Sequence, residues 1–463
     1  MFAVFGELSP TVIQIEIKKL AEILNNEAAG VPNSNISAVC IDSRKASPGC
    51  VFFAIQGENY DGHNFITQAF EKGAACAVCR VGFSPRSFDK PIFYVNNTVE
   101  ALGRLASYIR QHSKYKIIAL TGSAGKTTTK NILSHVLKSK FKCFSSPKSF
   151  NNNIGVPLTV LDAPDDTEIL ISELGSNHPG EIEQLTQIIQ PDIALITTVC
   201  PAHLEGFGSI EAIVKEKASI STGLRQGGKL YINGTIEKLV SHCGSQKLKF
   251  ETFETPSDVK LAGHQSAFVI DNVKVILPLA GRANVENAMA CWRVCKSLGF
   301  SAADFADSIA SMKQVDMRME CIKLGSATVL ADCYNANPGS MANAIETLYL
   351  VSQHENKRPV FIFGRMGELG KHSETLHSEL GEKIAKYKIP LSLTIKGDCS
   401  ITAQTAYKKA DYAISVNVFE NLSELCDNLY KFVKPDDIIL VKASRSERFE
   451  AVVEKLKKDF SGQ

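Results

Sequence analysis

The sequence predicts an α/β protein of three domains, the central one built round a mainly parallel sheet, and three observations carry that prediction. At 463 residues the chain is too long for one core, since a domain takes roughly 100–200 residues. Short apolar runs alternate with helical patterns along most of its length, which is the mark of βαβ units. One of these runs, Lys116-Ile117-Ile118-Ala119-Leu120, leads directly into a glycine turn and a helix signal.

Taken in order, residues 1–112 form the first expected domain. Here runs such as Val51-Phe52-Phe53-Ala54-Ile55 alternate with Gly- and Asp-rich turns. The second, 113–314, starts with the buried run at Lys116 and continues through Ile169-Leu170-Ile171 and Ile193-Ala194-Leu195-Ile196. The third, 315–463, contains Ala327-Thr328-Val329-Leu330, Pro359-Val360-Phe361-Ile362-Phe363 and Ile438-Ile439-Leu440-Val441, each expected as a strand followed by a helix.

Bulk composition excludes several classes. Apolar content of 44% and charged content of 22% are those of an ordinary globular protein. A net charge of +2 gives no reason to expect nucleic acid or an anionic membrane surface as a partner. No apolar run approaches the length of a membrane span. The opening residues mix Phe2, Val4 and Phe5 with Glu7, Glu16, Lys18 and Lys19, which does not read as a signal peptide. Thirteen cysteines are scattered singly. The one Cys-x-x-Cys, from Cys76 to Cys79, sits in an apolar stretch without a second pair, so core thiols in a reducing cytoplasm are expected.

Thr121-Gly122-Ser123-Ala124-Gly125-Lys126-Thr127-Thr128 follows a strand and opens a helix. In that setting a glycine loop wraps its N–H groups round phosphate, backed by a helix N-terminus. Lys126 would neutralise the outer phosphates, and the Thr127 hydroxyl would reach a magnesium ion. Gly122 stands only three residues before Gly125, so the loop is shorter than the standard form. A phosphate loop alone does not separate kinase, GTPase, motor and ligase.

The segments after it do. Glu173-Leu174-Gly175-Ser176-Asn177-His178-Pro179-Gly180-Glu181-Ile182 lies at a strand end, where α/β sheets place ligands. Pro201-Ala202-His203-Leu204-Glu205-Gly206-Phe207-Gly208-Ser209 follows the next strand, with Lys215 and Lys217 further on. With the phosphate loop and the run Ser149-Phe150-Asn151-Asn152-Asn153-Ile154-Gly155-Val156-Pro157, these segments resemble the Mur ligase family. The resemblance covers nearly the whole chain. It takes in Asp42-Ser43-Arg44-Lys45 and Asp61-Gly62-His63-Asn64-Phe65 at the front. Toward the end it takes in Asp332-Cys333-Tyr334-Asn335-Ala336-Asn337-Pro338 and Lys442-Ala443-Ser444-Arg445.

The resemblance implies a central P-loop, parallel-sheet ATPase domain flanked by an N-terminal UDP-binding α/β domain and a C-terminal Rossmann-like ligase domain. It implies ATP and Mg2+ as cofactors. The reaction is an ATP-dependent amide-bond formation through an acyl phosphate. The Glu-Leu-Gly-Ser-Asn-His, Ala-His-Leu-Glu-Gly-Phe-Gly and Tyr-Asn-Ala-Asn-Pro forms point, within the family, to joining D-alanyl-D-alanine to a UDP-linked muramoyl tripeptide. A cytoplasmic monomer is expected. A sibling that adds a single amino acid and a folylpolyglutamate-type ligase are the nearest rivals. A nucleotide-dependent switch is the rival from another class, and it would leave Glu173, His203 and Lys217 without a purpose.

Residue by residue, the resemblance assigns Gly122, Ser123, Ala124, Gly125, Lys126, Thr127 and Thr128 to the nucleotide, with Asn284 on the adenine side. Arg318, Asp332 and Tyr334 join them from the third domain. Thr127, Glu173, His203 and Lys217, the last as a carbamate, are assigned to the metal; Lys126, Lys217 and His203 are the catalytic set. Lys215 is a rival for the place of Lys217. Ser43, Arg44 and Asn64 are assigned to the uridine nucleotide, and Asn151 and Asn152 also to substrate. On pattern alone the Asp42-Ser43-Arg44 turn reads equally as a cap with a surface ion pair, and Asn335 and Asn337 equally as turn residues. The chain departs from the family's pattern where Ala283 replaces histidine, Arg365 aspartate, Ala443 glycine and Lys148-Ser149 Gly-Asn.

Overall fold

A computed structural model of the chain describes residues 15–28, 31–83, 88–147 and 149–460. Phe2, Val4, Phe5 and Glu7 of the opening segment and Lys148 of the departure noted above lie outside the described residues.

The first unit is a four-stranded parallel sheet in the order Ala38–Cys40, Cys50–Phe53, Cys76–Arg80, Ile92–Val95. Its long helix, Thr98–His112, is capped by the Asn97 side chain, which accepts from the Val99 and Glu100 N–H groups. That helix leans on the central domain. A Cβ at Gly103 would lie 3.0 Å from the Ile188 side chain, so the small residue sets the approach. Arg110, wholly buried, donates to the carbonyls of Ile189, Gln190 and Tyr115 and to Asp192.

The central sheet has six parallel strands in the order Glu251–Phe253, Lys229–Asn233, Ile193–Ile196, Lys116–Thr121, Ile169–Glu173, Cys143–Ser145. Ile117 to Leu120 are fully buried because helices cover both faces, which is why the run reads as continuously apolar. The chain leaves Lys116–Thr121 toward one edge of the sheet and Ile193–Ile196 toward the other. The C-terminal ends of these neighbours therefore open a crevice, the switch point at which such sheets bind ligands. Pattern reading missed a small antiparallel sheet here, Lys260–Ala262, Gln265–Ile270 and Val273–Leu277. Asp271 and Asn272 join its last two strands with φ of 43° and 65°, the conformation a tight hairpin turn requires.

The C-terminal sheet runs Glu320–Leu324, Ala327–Ala331, Ile438–Lys442, Pro359–Phe363, Leu391–Ile395, Ser415–Phe419. Its first strand is antiparallel and the others parallel. All thirteen cysteines are free thiols, Cys76 and Cys79 among the buried ones. No helix among the described residues is long and apolar enough to cross a membrane.

Candidate active site

A cleft of about 590 Å3 opens over the crevice, walled by the central and C-terminal domains. The phosphate loop forms its floor. Gly122 takes φ +150°, and a Cβ there would lie 2.1 Å from Thr197 Oγ1; no other residue fits. Ser123 N donates to Thr198 O at 2.8 Å and Thr197 Oγ1 to Ala124 O at 2.7 Å, which ties the loop to the neighbouring strand end. The helix Lys126–Leu137 starts at Gly125 with no side-chain cap. Its first N–H groups thus remain for an anion. Lys126 Nζ donates to Gly122 O at 2.6 Å. Burial lowers its pKa from the ordinary lysine value; the Glu173 carboxylate opposes that and the Arg318 charge adds to it.

Glu173 ends its strand only 2% exposed. It accepts from Thr127 Oγ1 at 2.8 Å and from Asn151 Nδ2 at 3.0 Å, and Lys130 Nζ lies 3.9 Å away. Asn151 is thus a partner of the carboxylate. Asn152 braces the turn before the next helix, accepting from Gly155 N at 2.9 Å, and also lines the cleft. His203 lines the cleft with φ 53°, and its Nδ1 pairs with Glu368 of the C-terminal domain.

Lys217 is 2% exposed, whereas Lys215, two residues earlier on the same helix, is on the exposed face. Lys217 Nζ donates to Ser176 Oγ at 2.7 Å and lies 5.6 Å from the Phe207 ring centroid. Burial first, and the Lys126 charge second, bring its pKa down to about 7, against the pull of Glu216 and Glu181. A large share of its amine is therefore unprotonated at neutral pH.

The opposite wall belongs to the C-terminal domain. Asp332 accepts from Lys442 Nζ at 2.6 Å and from Met319 N at 3.2 Å. The Tyr334 ring lies 3.9 Å beneath the Arg318 guanidinium, and its hydroxyl shares a 2.6 Å hydrogen bond with Ser149 of the central domain. Asn337 does more than shape a turn. It caps the helix Pro338–Glu355 and donates from Nδ2 to Ser123 O in the phosphate loop at 3.1 Å. Asn284 donates to Ala280 O at 2.7 Å and faces the cleft beside Ala283.

Not every expected residue arrives here. Ser43, Arg44 and Asn64 are absent from the cleft lining and sit together on the N-terminal unit. Ser43 Oγ donates to Gln68 at 2.5 Å; Arg44 is held by Asp42 at 2.7 Å; Asn64 is exposed. Arg365, the charge reversal, is paired with Glu447 at 2.9 Å. Pattern reading gave no role to Asn287, whose Oδ1 would lie 2.3 Å from a Cβ on Gly125, nor to Asn343 and Thr347, which also line the cleft. These lie on helices, where spacing makes them look like ordinary polar faces.

The donor chemistry suits magnesium. Among the described residues no three His, Cys, Asp or Glu side chains converge as a ready-made cage. Magnesium seldom uses one: it takes one or two protein oxygens and completes its octahedron with phosphate and water. The buried Glu173 carboxylate and Thr127 hydroxyl, side by side at the phosphate loop, meet that requirement.

Fold and site together define a nucleoside-triphosphate-dependent ligase, with a phosphate loop on the floor of the cleft and a buried lysine bonded behind its wall to Ser176. Known proteins agree. The profile described as Mur ligase middle domain matches residues 120–295, that of the Mur ligase, glutamate ligase domain matches 317–445, and that of the Mur ligase family, catalytic domain matches 35–110. The UDP-N-acetylmuramoyl-tripeptide--D-alanyl-D-alanine ligase of Escherichia coli K12 is 33% identical, over 97% of this chain and 99% of that one. The enzyme of the same name from Bacillus subtilis is 32% identical over 96% and 99%. Among solved structures, MurF from Acinetobacter baumannii superposes with a TM-score of 0.88 at 27% identity, over 97% of this chain and 100% of that one. MurF ligase from Thermotoga maritima in complex with ADP gives 0.81 at 26% identity, over 92% and 98%. The chain belongs to the Mur ligase family.

Proposed function

We propose that the chain joins the amine of D-alanyl-D-alanine to the terminal carboxylate of UDP-N-acetylmuramoyl-tripeptide, converting ATP to ADP and phosphate, as one step in making the cell-wall peptide. The observation that carries a ligase over a nucleotide switch is Lys217, buried behind the cleft wall, where its Nζ donates to Ser176 Oγ of the cleft lining at 2.7 Å. A switch needs only the loop. The full-length similarity to enzymes named for these two substrates supports their identity.

A carboxylate is a poor electrophile, so the γ-phosphoryl group is transferred to it first. The amine then attacks the acyl phosphate and phosphate leaves. Under this reading the loop N–H groups and Lys126 hold the phosphates in line and offset their charge, where transfer between anions needs it. Thr127, Glu173, His203 and a carbamylated Lys217 would hold magnesium, which supplies further charge neutralisation between carboxylate and phosphate. An unprotonated, buried amine is what carbamate formation requires, and exposed Lys215 lacks that environment. Asn284 reads the base, while Arg318, Asp332 and Tyr334 close over the nucleotide from the other domain and keep water from the acyl phosphate. Ser43, Arg44 and Asn64 hold the uridine nucleotide on the first domain, away from the chemistry.

The domains proposed are 1–112 for the UDP-linked substrate, 113–314 for ATP and 315–463 for closure. The reading also makes the protein a monomer and places it in the cytoplasm, where free thiols suit a reducing compartment. Phosphate release measured with ATP, magnesium, the UDP-tripeptide and a panel of amines tests it. Release that requires both the UDP-tripeptide and D-alanyl-D-alanine is expected. Equal release with a single amino acid would move the chain to a sibling activity.

A further inference from the structure

The loop after the strand Pro359–Phe363 crosses from the C-terminal sheet to the central domain. Its base is fixed: Ser444 N donates to Arg365 O at 3.1 Å, and Met366 and Leu369 are buried. Its tip makes three contacts with the segment that carries His203. Glu205 N donates to Glu368 O at 3.2 Å. A Cβ on Gly370, which has φ +53°, would lie 3.3 Å from Glu205 Cα. The Glu368 carboxylate pairs with His203 Nδ1. Glu368 and His203, facing each other, both hold left-handed backbone, with φ of 60° and 53°. Residues with a Cβ adopt that state at a cost that the surroundings as a whole must offset.

We infer that Glu368 is a positioning residue for His203, so that the metal-binding side chains of the central domain are fully arranged only when the C-terminal loop is docked. A neutral imidazole has one donor and one acceptor nitrogen. A carboxylate placed against Nδ1 favours the tautomer with its proton there, and that tautomer offers the Nε2 lone pair to a metal in the cleft that His203 lines. Domain closure and completion of the metal site then become one event. This inference rests on the reading of His203 as a metal ligand.

The test uses the full chain with ADP, and manganese as a paramagnetic probe of the magnesium site. Glu368→Met removes the acceptor at nearly constant volume. It should weaken manganese binding, read by electron paramagnetic resonance, by roughly 10–100-fold, the usual effect of losing a carboxylate behind a ligating histidine. Its melting temperature and its KM for the UDP-tripeptide should not change. Glu368→Gln, whose amide oxygen still accepts from Nδ1, should restore most of the affinity. Combining Glu368→Met with His203→Ala should cost no more than His203→Ala alone. Wild-type affinity in Glu368→Met beside a weakened His203→Ala would overturn the inference and leave the reading of His203 standing. Wild-type affinity in His203→Ala would overturn both. A further measurement needs no variant fold beyond the one that assigns the signal: 15N NMR of the His203 ring should show the Nδ1–H tautomer, and an Nε2–H tautomer would also overturn the proposal.

Discussion

The phosphate-loop region and the Ser43–Asn64 region both carry polar candidates, yet they are built in opposite ways. Around the loop the polar groups are buried and bonded across elements: Thr127 to Glu173, Lys217 to Ser176, Asn337 to Ser123. On the first domain Arg44 is bonded to its own neighbour, Asp42, and stands 67% exposed, while Asn64 is exposed as well. Burying charge is expensive, and a fold keeps it where chemistry needs a low-dielectric site. Exposed groups away from the reacting atoms act mainly through substrate affinity. The first region should therefore govern turnover and the second binding.

Lys126→Ala tests that division most severely. Turnover should fall by at least about 10³-fold, as for other lost charge stabilisers, with the melting temperature unchanged. A folded variant with full activity would show that the loop lysine does not face the phosphates.

Lys217→Ala comes next, with a loss of roughly 10²-fold and partial recovery in formate or acetate, which can fill the vacated anionic position. With a pKa of about 7, the wild-type amine is mostly protonated at pH 6, so its carbamate is held more weakly there and depends more on dissolved carbon dioxide. Removing bicarbonate at that pH should therefore lower wild-type activity more than removing it at pH 8. Equal losses at the two pH values, or no recovery with carboxylates, would count against the carbamate.

Arg44→Ala and Asn64→Ala should raise KM for the UDP-tripeptide by about 10-fold each, with kcat and the KM for ATP little changed, as expected when uniform binding is lost. A matching fall in kcat would erase the contrast between the two regions. The smallest effect belongs to Lys215→Ala, which should stay within about two-fold of wild type, as an exposed side chain away from special features does.

The strands and the site loops were legible in the sequence for the same reason: both leave local signals. The run 117–120 is apolar because both faces are covered, and Gly122, Gly125 and Lys126 follow it closely. The choice between Lys215 and Lys217 was legible too, although spacing in the motif left it open. Ile213, Val214 and Lys217 are buried together, three and four apart, so helical phase alone puts Lys217 on the inward face. Glu368, Asn287, Asn343 and Thr347 were not legible. Each owes its place to the meeting of elements distant in sequence, and a polar residue on a helix or loop looks solvated until its partner is known. The antiparallel strands 260–277 escaped for a related reason, since they interrupt a series of strand-and-helix units.

Arg110 has a consequence for how the molecule comes apart. Its guanidinium bonds to three carbonyls and to Asp192, which also accepts from Ile117 N. That cluster straddles the seam at 113–115 and welds the first unit to the second. The other seam, 311–319, runs between the helix Ala302–Ala310 and the strand Glu320–Leu324 and includes two residues of positive φ, Met317 and Met319. A protease should thus cut the native chain near 311–319 and release two fragments, the larger holding the first two units together. A gene fragment ending at residue 112 would leave a cation without its counter-charge and should not yield a soluble product.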